Sequence, residues 1–530
     1  MINAIFDRIK KTQKQKIGVL LIIVALGIFL RGYNFRGLQR FDEDEVRDVV
    51  IVEQLQQDHN FLIMGPHAGG TIFDLGPAYY YMEYIALIIF GNDPGNLAYP
   101  TLLFSVLAIP LLYVFLKKFF TENISLAVTA LYGVSFYAIK YARFAWNPNP
   151  LPFFILAFLL ILGILVKDKK EPQIYWSVLL GIVIGIGIQL HTFIIVIFLP
   201  IAALYYGYFL WKKYPLGKSF VIAVFCVAFL NIPQFIHEVR TGGENSRAFV
   251  VGFVTKTSNS EPVQKYILKD LECYAQGSSY MLSAMNDDSN CLLFHELKRH
   301  LFAFYSNLIL TLTFLFGGLI LAVIKLKKEK DETKKVLLAL SLIYAASSFL
   351  VFLPIALKFD ARYRIIIFFV PFLLLGFWMD FFVEKFKIIG LLFVIVILGW
   401  LAVSNIVPVG KTYFSGLNPN HSGGGDFNGI VLTDAERISK FIALRSLEYP
   451  ENRLYLLASQ HKYLYAMNYF LSKQSNFKAS ELTKERIVEK NSILFSIVDN
   501  PNSRNYALQG YSEIDAGEVG TYDIFIMRKE

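Results

Sequence analysis

Acidic side chains are concentrated in one short segment near the start of the chain, between Phe41 and Val49. A carboxylate in such a cluster can act as a general base that takes a proton from an acceptor hydroxyl or amine. The same carboxylates can instead cap the N-terminus of a helix and complement its dipole. The spacing alone leaves both interpretations open. The candidate catalytic carboxylates are Asp42, Asp44 and Glu45, and Arg47 is a candidate substrate contact in the same segment.

Candidate anion-binding residues occur in three later segments. Arg143, Arg362 and Arg364 carry planar guanidinium groups, which bind phosphate or carboxylate through two parallel hydrogen bonds. His191 stands between two apolar runs, where it is either a further phosphate ligand or a structural residue at a helix end. The arginines can alternatively pair with nearby acids, such as those at 42–48. Aromatic and amide side chains are further candidate substrate contacts: Tyr79, Tyr80, Tyr363 and Asn147.

The elements that must position these residues are strongly apolar. Of the 530 residues, 55% are hydrophobic and only 18% are charged, against about 25% charged residues in ordinary soluble domains. The apolar residues form many separate runs of about 15 to 22 residues, at or near the length of a membrane-spanning helix. A soluble enzyme, a coiled coil, a disordered chain and a protein with a single anchor are excluded. The net charge of +9 does not indicate nucleic-acid binding, because the lysines lie in short loops beside apolar runs.

The pattern predicts an all-α polytopic membrane domain of about eleven spanning helices. Basic residues at the N-terminus and in alternate short loops place the N-terminus in the cytoplasm. Residues 77–90 are apolar but short, and counting them as a span would move every later lysine cluster outside. They are therefore predicted to be an interfacial helix, with a short true span as the alternative. The predicted spans are 17–33, 97–116, 123–140, 151–166, 174–190, 193–211, 218–235, 304–324, 336–356, 365–383 and 388–408.

Two long loops and a separate domain are predicted on the outer side. Residues 1–408 form the membrane domain with outer loops 34–96 and 236–303. Residues 409–530 form a small extracytoplasmic α/β domain after a Gly/Asn/Ser-rich linker at 418–429. In that domain the pattern predicts helices at about 433–447 and 462–472, and strands near 453–458, 492–498 and 522–528.

Cysteine usage and the N-terminus add two expectations. Three cysteines make no disulfide framework, although Cys273 and Cys291 share one predicted outer loop and can pair if that loop lies in an oxidising space. The first apolar run leads into the acidic segment without a small-residue cleavage site, so no cleavable signal peptide is expected.

Four motifs follow one another in an order typical of one family. Asp44-Glu45-Val46-Arg47 fits an acidic pair in the first outer loop, and Gly76-Pro77-Ala78-Tyr79-Tyr80 fits a turn that opens the next helix. Arg143 to Pro150 fits loosely an Arg and Pro before a later span, and Arg362-Tyr363 fits an Arg-Tyr before a late span with a proline. On these motifs, residues 17–400 resemble the GT-C membrane glycosyltransferases, which include protein O-mannosyltransferases and lipid A aminoarabinose transferases.

The resemblance implies a sugar donor carried on a polyprenyl phosphate in the outer leaflet, from which the sugar passes with inversion to an extracytoplasmic acceptor. It also implies that the aspartate of the first loop activates the acceptor or stabilises the transition state. Asp44 is in register with that aspartate, and Asp42 is its rival. No metal or other cofactor is expected, with a divalent cation on the acidic residues as the alternative. Fixed cations would stabilise the departing phosphate; the candidates are Arg362, Arg364, Arg143 and His191.

The sequence departs from the aminoarabinose transferases at two motifs. Leu75-Gly76 stands where those proteins have a lysine, and Asn147-Pro148-Asn149 lacks the acid of their Arg-Pro-Asp-like turn. Both departures count against modification of lipid A.

Other functional classes are alternatives to a single-sugar transferase. They are a membrane transporter or lipid-linked sugar flippase, a surface-glycan polymerase or ligase, and an inactive scaffold. Few ionisable residues lie within the apolar runs, which disfavours a transporter. The C-terminal domain is expected to recognise the acceptor or to cover the site.

Overall fold

A computed structural model describes most of the chain. The described ranges are 2–69, 71–166, 174–257, 261–284, 301–358, 361–414, 430–450, 453–474, 479–481, 492–499 and 508–530. The predicted linker at 418–429 lies outside them.

Helices form most of the described part of residues 2–409. Every apolar run predicted to span the membrane coincides with one or two of them. The helices are α1 (Ile2–Gly32), α2 (Glu43–Asp58), α3 (Ala78–Phe90), α4 (Tyr99–Leu116), α5 (Glu122–Val134), α6 (Phe136–Lys140), α7 (Leu151–Leu165), α8 (Ile174–Leu190), α9 (Thr192–Trp211), α10 (Gly217–Leu230), α11 (Ile232–Thr241), α12 (Glu244–Thr257), α13 (Val263–Leu282), α14 (Leu301–Lys328), α15 (Glu332–Phe352) and α16 (Phe369–Val409).

The membrane character of the bundle is confirmed, whereas the number of spans is not. In the described part of the chain, six helices are long and apolar enough to cross a membrane, or seven if the bent pair α10–α11 is one span. Three further apolar helices, α3, α7 and α8, are shorter. The 13 residues of α3 extend about 20 Å, which is less than the membrane core. Its predicted interfacial position therefore remains a prediction that its length favours.

The longest helix, α16, contains a reversal of the chain. Its backbone is non-helical at Lys387, where φ is 50°. The rings of Phe382 and Phe393 lie 4.8 Å apart, although 11 residues of straight helix would separate them by about 16 Å. Gly390 allows this turn, because a Cβ there would collide with the Phe382 carbonyl. The two spans predicted at 365–383 and 388–408 are thus two arms joined almost without a loop.

The helix α7 forms the centre of the bundle. All its residues except Phe153 and Ile164 are buried, as expected for a helix that is hydrophobic on every side. Its Phe158 ring stacks on Phe198 of α9, with centroids 4.1 Å apart.

The C-terminal part is a small α/β domain with one five-stranded sheet in the order β2-β1-β3-β5-β4. The strand β1 is parallel to β2 and β3, whereas β5 is antiparallel to β3 and β4. The elements are α17 (Leu432–Ser446), β1 (Leu454–Ala458), α18 (Tyr463–Ser472), β2 (Ala479–Glu481), β3 (Ile493–Asp499), β4 (Tyr511–Val519) and β5 (Tyr522–Lys529). All five predicted elements are present, whereas β2 and β4 were not predicted.

This domain packs on the first long loop of the membrane domain. The Phe41 amide donates to the Ile430 carbonyl at 2.8 Å, and the Leu432 amide donates to the Gln39 carbonyl at 2.9 Å. Residues of α2, α17 and α18 share one apolar core. The first loop and the C-terminal domain therefore lie at the same end of the bundle.

Lysines of two segments predicted to lie on the inner side pair with the same carboxylate. Glu122 pairs with Lys16 at 2.5 Å and with Lys117 at 2.7 Å. The start of the first apolar run and the α4–α5 turn therefore lie at the same end of the bundle, as the predicted threading requires. Which end faces the outside remains a prediction of the positive-inside rule.

Candidate functional site

The acidic segment forms the first turn of α2. The Asp42 side chain accepts a hydrogen bond from the Glu43 amide at 2.8 Å, and it is the N-cap residue. The Glu45 side chain accepts a hydrogen bond from the Asp42 amide at 2.9 Å, which completes a capping box. Both side chains are buried. Two of the three candidate carboxylates are therefore used to start the helix.

Arg40 pairs with Glu45 and connects it to a later segment. Its Nη2 and Nε atoms donate to Glu45 Oε1 at 2.6 and 2.9 Å. Its guanidinium carbon lies 4.2 Å from the centre of the Phe144 ring. Burial raises the pKa of Glu45 to about 7, against the opposing effect of the Arg40 charge.

Asp44 is the most accessible of the three candidate carboxylates. Its side chain is 38% exposed and accepts a hydrogen bond from Arg47 Nη1 at 2.8 Å. The same guanidinium donates to Asp48 Oδ1 from Nη2 at 2.6 Å and from Nε at 2.8 Å. Asp44 therefore keeps access to solvent while Arg47 fixes its orientation. A general base that receives an incoming acceptor requires both properties.

Further carboxyl groups lie beneath Arg47. Asp48 is buried, and burial raises its pKa to about 7. Glu83 of α3 is fully buried, and burial together with the Asp48 charge raises its pKa well above the usual range. Tyr80 lies beside Asp48 and Arg47, whereas the Tyr79 hydroxyl hydrogen-bonds a hydroxyl of α4 at 3.1 Å. The structure thus brings Tyr80 to the acidic cluster and turns Tyr79 toward α4.

A second group of predicted residues meets at the start of α9. Asn147 Nδ2 donates to the Leu190 carbonyl at 2.6 Å. The His191 ring lies edge-on to Tyr363, with centroids 5.8 Å apart. His191 Nδ1 accepts a hydrogen bond from the Phe193 amide at 3.2 Å, so His191 caps α9. This hydrogen bond is the one expected of a structural residue at a helix end. The role of His191 as a phosphate ligand remains a prediction.

Aromatic side chains connect the two groups. Phe144 and Trp146 have ring centroids 6.2 Å apart, and Trp146 and Tyr363 are also 6.2 Å apart. Tyr363 reaches the first long loop as well, because a Cβ at Gly69 would lie 2.8 Å from its hydroxyl. Phe144 in turn contacts Arg40 of the acidic cluster. The predicted site residues at 42–47, 147, 191 and 363 are therefore linked into one continuous band by Arg40, Phe144 and Trp146, which were not predicted as site residues.

Arg143 is directed toward the end of α1 rather than toward this band. Its Nη1 donates to the Arg31 carbonyl at 2.7 Å, and its Nη2 donates to the Tyr33 carbonyl at 2.8 Å. Its guanidinium carbon lies 4.4 Å from the Tyr413 ring centre, and the side chain is buried. These contacts cap α1, and a role in binding phosphate remains a prediction.

Arg364 forms a buried ion pair that the sequence did not predict. Its Nη2 atom lies 2.5 Å from Asp270 Oδ1, and both side chains are fully buried. Pairing with an acid was the stated alternative for the arginines, but the partner belongs to α13 in the second long loop. The side chain of Arg362 lies outside the described residues, so its predicted role remains a prediction.

Three residues of interest were missed by sequence reasoning. Asp270 lies on the same face of α13 as the buried Tyr266 and Cys273, and an acid at this helical spacing is the signal that was available. Glu83 was visible as a single acid within an apolar run. Lys462 had no signal, because only the packed domain brings its Nζ to 3.7 Å from Asp42 Oδ2.

The expectations on metal and disulfide chemistry remain predictions. Within the described residues, no three His, Cys, Asp or Glu side chains converge as metal ligands would. Arg47 pairs with both Asp44 and Asp48 in the acidic cluster. Cys273 is buried on α13, and Cys291 lies outside the described residues.

The chain resembles known proteins in both sequence and architecture. A family profile described as dolichyl-phosphate-mannose-protein mannosyltransferase matches residues 74–237. The structure of ArnT from Cupriavidus metallidurans bound to undecaprenyl phosphate matches 96% of this chain and 98% of its own, with a TM-score of 0.51 and 12% sequence identity. The chain has the GT-C membrane glycosyltransferase fold. The resemblance stated from the sequence is thereby confirmed.

Two further proteins are similar to this chain over part of their length. The oligosaccharyltransferase of Archaeoglobus fulgidus, in complex with Zn and sulfate, matches 86% of this chain and 61% of its own at a TM-score of 0.50 and 15% identity. YkcB of Bacillus subtilis (strain 168), named as a candidate mannosyltransferase, is 26% identical over 192 residues, which is 36% of this chain. The match spans about a quarter (26%) of the length of this curated relative. The acidic segment at 42–48 precedes the range of the family profile.

Proposed function

We propose that this protein is a membrane glycosyltransferase that moves a single sugar from a polyprenyl-phosphate carrier to an acceptor outside the cytoplasm. The observation that carries the proposal is the accessible Asp44 carboxylate, held by Arg47 at one end of a GT-C bundle. Undecaprenyl phosphate is bound in the structure of the similar ArnT, which supports a lipid-linked donor here.

Asp44 has the general-base role in this proposal. It takes the proton of the acceptor hydroxyl or amine while the acceptor atom attacks the anomeric carbon of the sugar. The bond from that carbon to the phosphate oxygen breaks on the opposite face, so configuration inverts. The lipid phosphate leaves with the bonding electron pair, and Asp44 holds the proton. Asp42 and Glu45 contribute by fixing the start of α2 rather than by direct proton transfer.

The band that contains Tyr363 is the proposed position of the donor phosphate. It lies at the same end of the bundle as Asp44 and is lined by aromatic rings and Asn147. Arg362 immediately precedes Tyr363 in the chain, and we assign it as the first cation for the departing phosphate. The buried ion pair of Arg364 with Asp270 fixes the segment that contains Tyr363 to α13.

Transfer assays with purified protein and undecaprenyl-phosphate-linked sugars test the proposal. We expect Asp44→Asn to lower kcat/KM by at least about 100-fold, as for the loss of a general base. Asp42→Asn should lose less, because asparagine also caps helices. Asp58→Asn, an exposed position at the end of α2, is the matched control and should keep the parent rate.

Three results would contradict the proposal. Full transfer by a variant with both Asp44 and Asp42 replaced would exclude the acidic segment as the site. Uptake or flipping of the lipid-linked sugar in liposomes without transfer would favour a transporter. Products longer by more than one sugar would favour a polymerase or ligase.

A further inference from the structure

Arg47 links the candidate base to a buried carboxyl group. It donates one hydrogen bond to Asp44 and two to Asp48. Asp44 is 38% exposed at its side chain, whereas Asp48 is 1% exposed. The guanidinium therefore has one anchor inside the protein and one partner at the surface. The position of Asp44 therefore depends on the hydrogen bonds that hold Arg47 to Asp48.

Glu83 lies beside this anchor without a visible partner. Neither of its carboxyl oxygens has a hydrogen-bond partner among the described residues, although the side chain is fully buried. An ionised carboxyl group in that position would lose its hydration without compensation, so the neutral acid is favoured. The helices α4 and α8 also pack on α3 and contribute the uncharged Thr101 and Gln189. The titratable groups that face Glu83 are Glu45, Arg47, Asp48, Tyr79 and Tyr80.

The side chains of Arg47, Asp48 and Glu83 together are neutral only if one proton is retained on the two carboxyl groups. Arg47 offers one positive charge to three carboxyl groups, on Asp44, Asp48 and Glu83. With all three ionised, the buried Asp48 and Glu83 would repel each other without compensation. With the proton on Glu83, both Asp44 and Asp48 remain acceptors for Arg47.

We propose that Asp48 and Glu83 form a positioning pair that holds one proton and thereby fixes Arg47 against Asp44. This inference rests on the proposed role of Asp44 as the base. Ionised Asp48 anchors Arg47, and neutral Glu83 keeps Asp48 ionised without repelling it. Asp44 is then oriented before the acceptor arrives. Protonation of Asp48 releases Arg47, and ionisation of Glu83 displaces Asp48, so both changes stop transfer.

The pH dependence of kcat distinguishes this role from a purely structural one. The parent should show a bell-shaped profile, because the active state carries one proton on the pair. In Glu83→Gln the carboxamide cannot ionise, so the alkaline limb should disappear while the rate at the optimum stays within about threefold. Asp48→Asn should lower kcat by about 100-fold, as a misplaced group does, with little change in the KM for the donor. Asp58→Asn is the control and should keep the parent profile.

Infrared difference spectroscopy gives a measurement that does not need transfer. At neutral pH, the parent minus Glu83→Gln spectrum should contain the carbonyl band of a protonated carboxylic acid. Its absence, an unchanged alkaline limb in Glu83→Gln, or a parent kcat in Asp48→Asn would overturn the proposal. If the parent transfers sugar from no polyprenyl donor, the proposed function fails, and the infrared band then decides whether Glu83 holds the proton.

Discussion

Two arginines pair with different carboxylates of the acidic segment. Arg40 pairs with the buried Glu45, and Arg47 pairs with the accessible Asp44. The sequence predicted the cluster and both of its interpretations, helix capping and general-base catalysis. It could not assign them to individual residues, because the assignment depends on which guanidinium reaches which carboxylate after the loop has folded. In the structure, Asp42 and Glu45 cap α2, whereas the proposed base Asp44 stays accessible.

Replacement of Asp42 should affect stability through the helix cap. We expect Asp42→Ala to lower the free energy of unfolding by about 1 kcal/mol, because the capping box is lost. Asp42→Asn keeps an acceptor for the first turn and should lose only a few tenths of that. Denaturant unfolding in detergent, followed by circular dichroism, measures both. Equal losses in the two variants would show that the cap is not the origin of the effect.

Asp48 should make stability depend on pH. Burial raises its pKa to about 7 in the folded protein, so the folded state binds this proton more tightly than the unfolded state. The resulting stabilisation is fully present below the ordinary aspartate pKa of about 3.9 and is lost as the pH rises through about 7. We expect unfolding measurements across this window to show a falling stability for the parent. The slope should be smaller in Asp48→Asn, and an equal slope would contradict the assignment.

The helices were predictable from the sequence to a greater extent than the long loops. Apolar runs predicted the helices of the bundle, and the capping interpretation of the acidic segment fits the start of α2. The strand β4 was missed because its exposed residues include Glu513, Asp515 and Glu518, so no apolar alternation marks it. The pairing of Arg364 with α13 was missed because it depends on how the second long loop folds back. Hydrophobic periodicity does not encode such tertiary contacts between polar groups.

The ion pair between α13 and the Tyr363 segment should be important for stability. We expect Asp270→Ala to lower the free energy of unfolding by about 3–5 kcal/mol, because it leaves the buried Arg364 charge uncompensated. The double replacement Asp270→Leu with Arg364→Met should recover much of this loss. Lys440→Ala, which removes an exposed pair with Glu436, is the control and should cost at most about 0.5 kcal/mol. Equal effects of the single and double replacements would contradict a buried pair.

The molecule as a whole has two ends with different chemistry. The acidic cluster, the aromatic band and the C-terminal domain share one end, and lysine-rich turns mark the predicted inner loops. The sequence predicted this separation from charge alone, because lysine placement follows the positive-inside rule. It could not show that the C-terminal domain covers α2, since that interface combines residues from distant parts of the chain.

Labelling of single cysteines in intact cells should reveal the orientation. In a background without the three native cysteines, Asp58→Cys should react with a membrane-impermeant maleimide. Lys330→Cys, in the exposed turn before α15, should react only after the cells are opened. Labelling of both positions in intact cells, or of Lys330→Cys alone, would contradict the proposed outward position of the site.

The contact between Glu53 and Tyr469, at 2.8 Å, joins residues 416 positions apart. The ribosome therefore adds 416 residues after Glu53 before Tyr469 of α18 becomes available to cover α2. Until then, Phe41 and Val49 lack the neighbours that bury them in the finished protein. A chain that stops early leaves a sticky apolar surface, which proteases and chaperones recognise. Burial of this apolar surface on α2 therefore waits until the C-terminal domain has been synthesised.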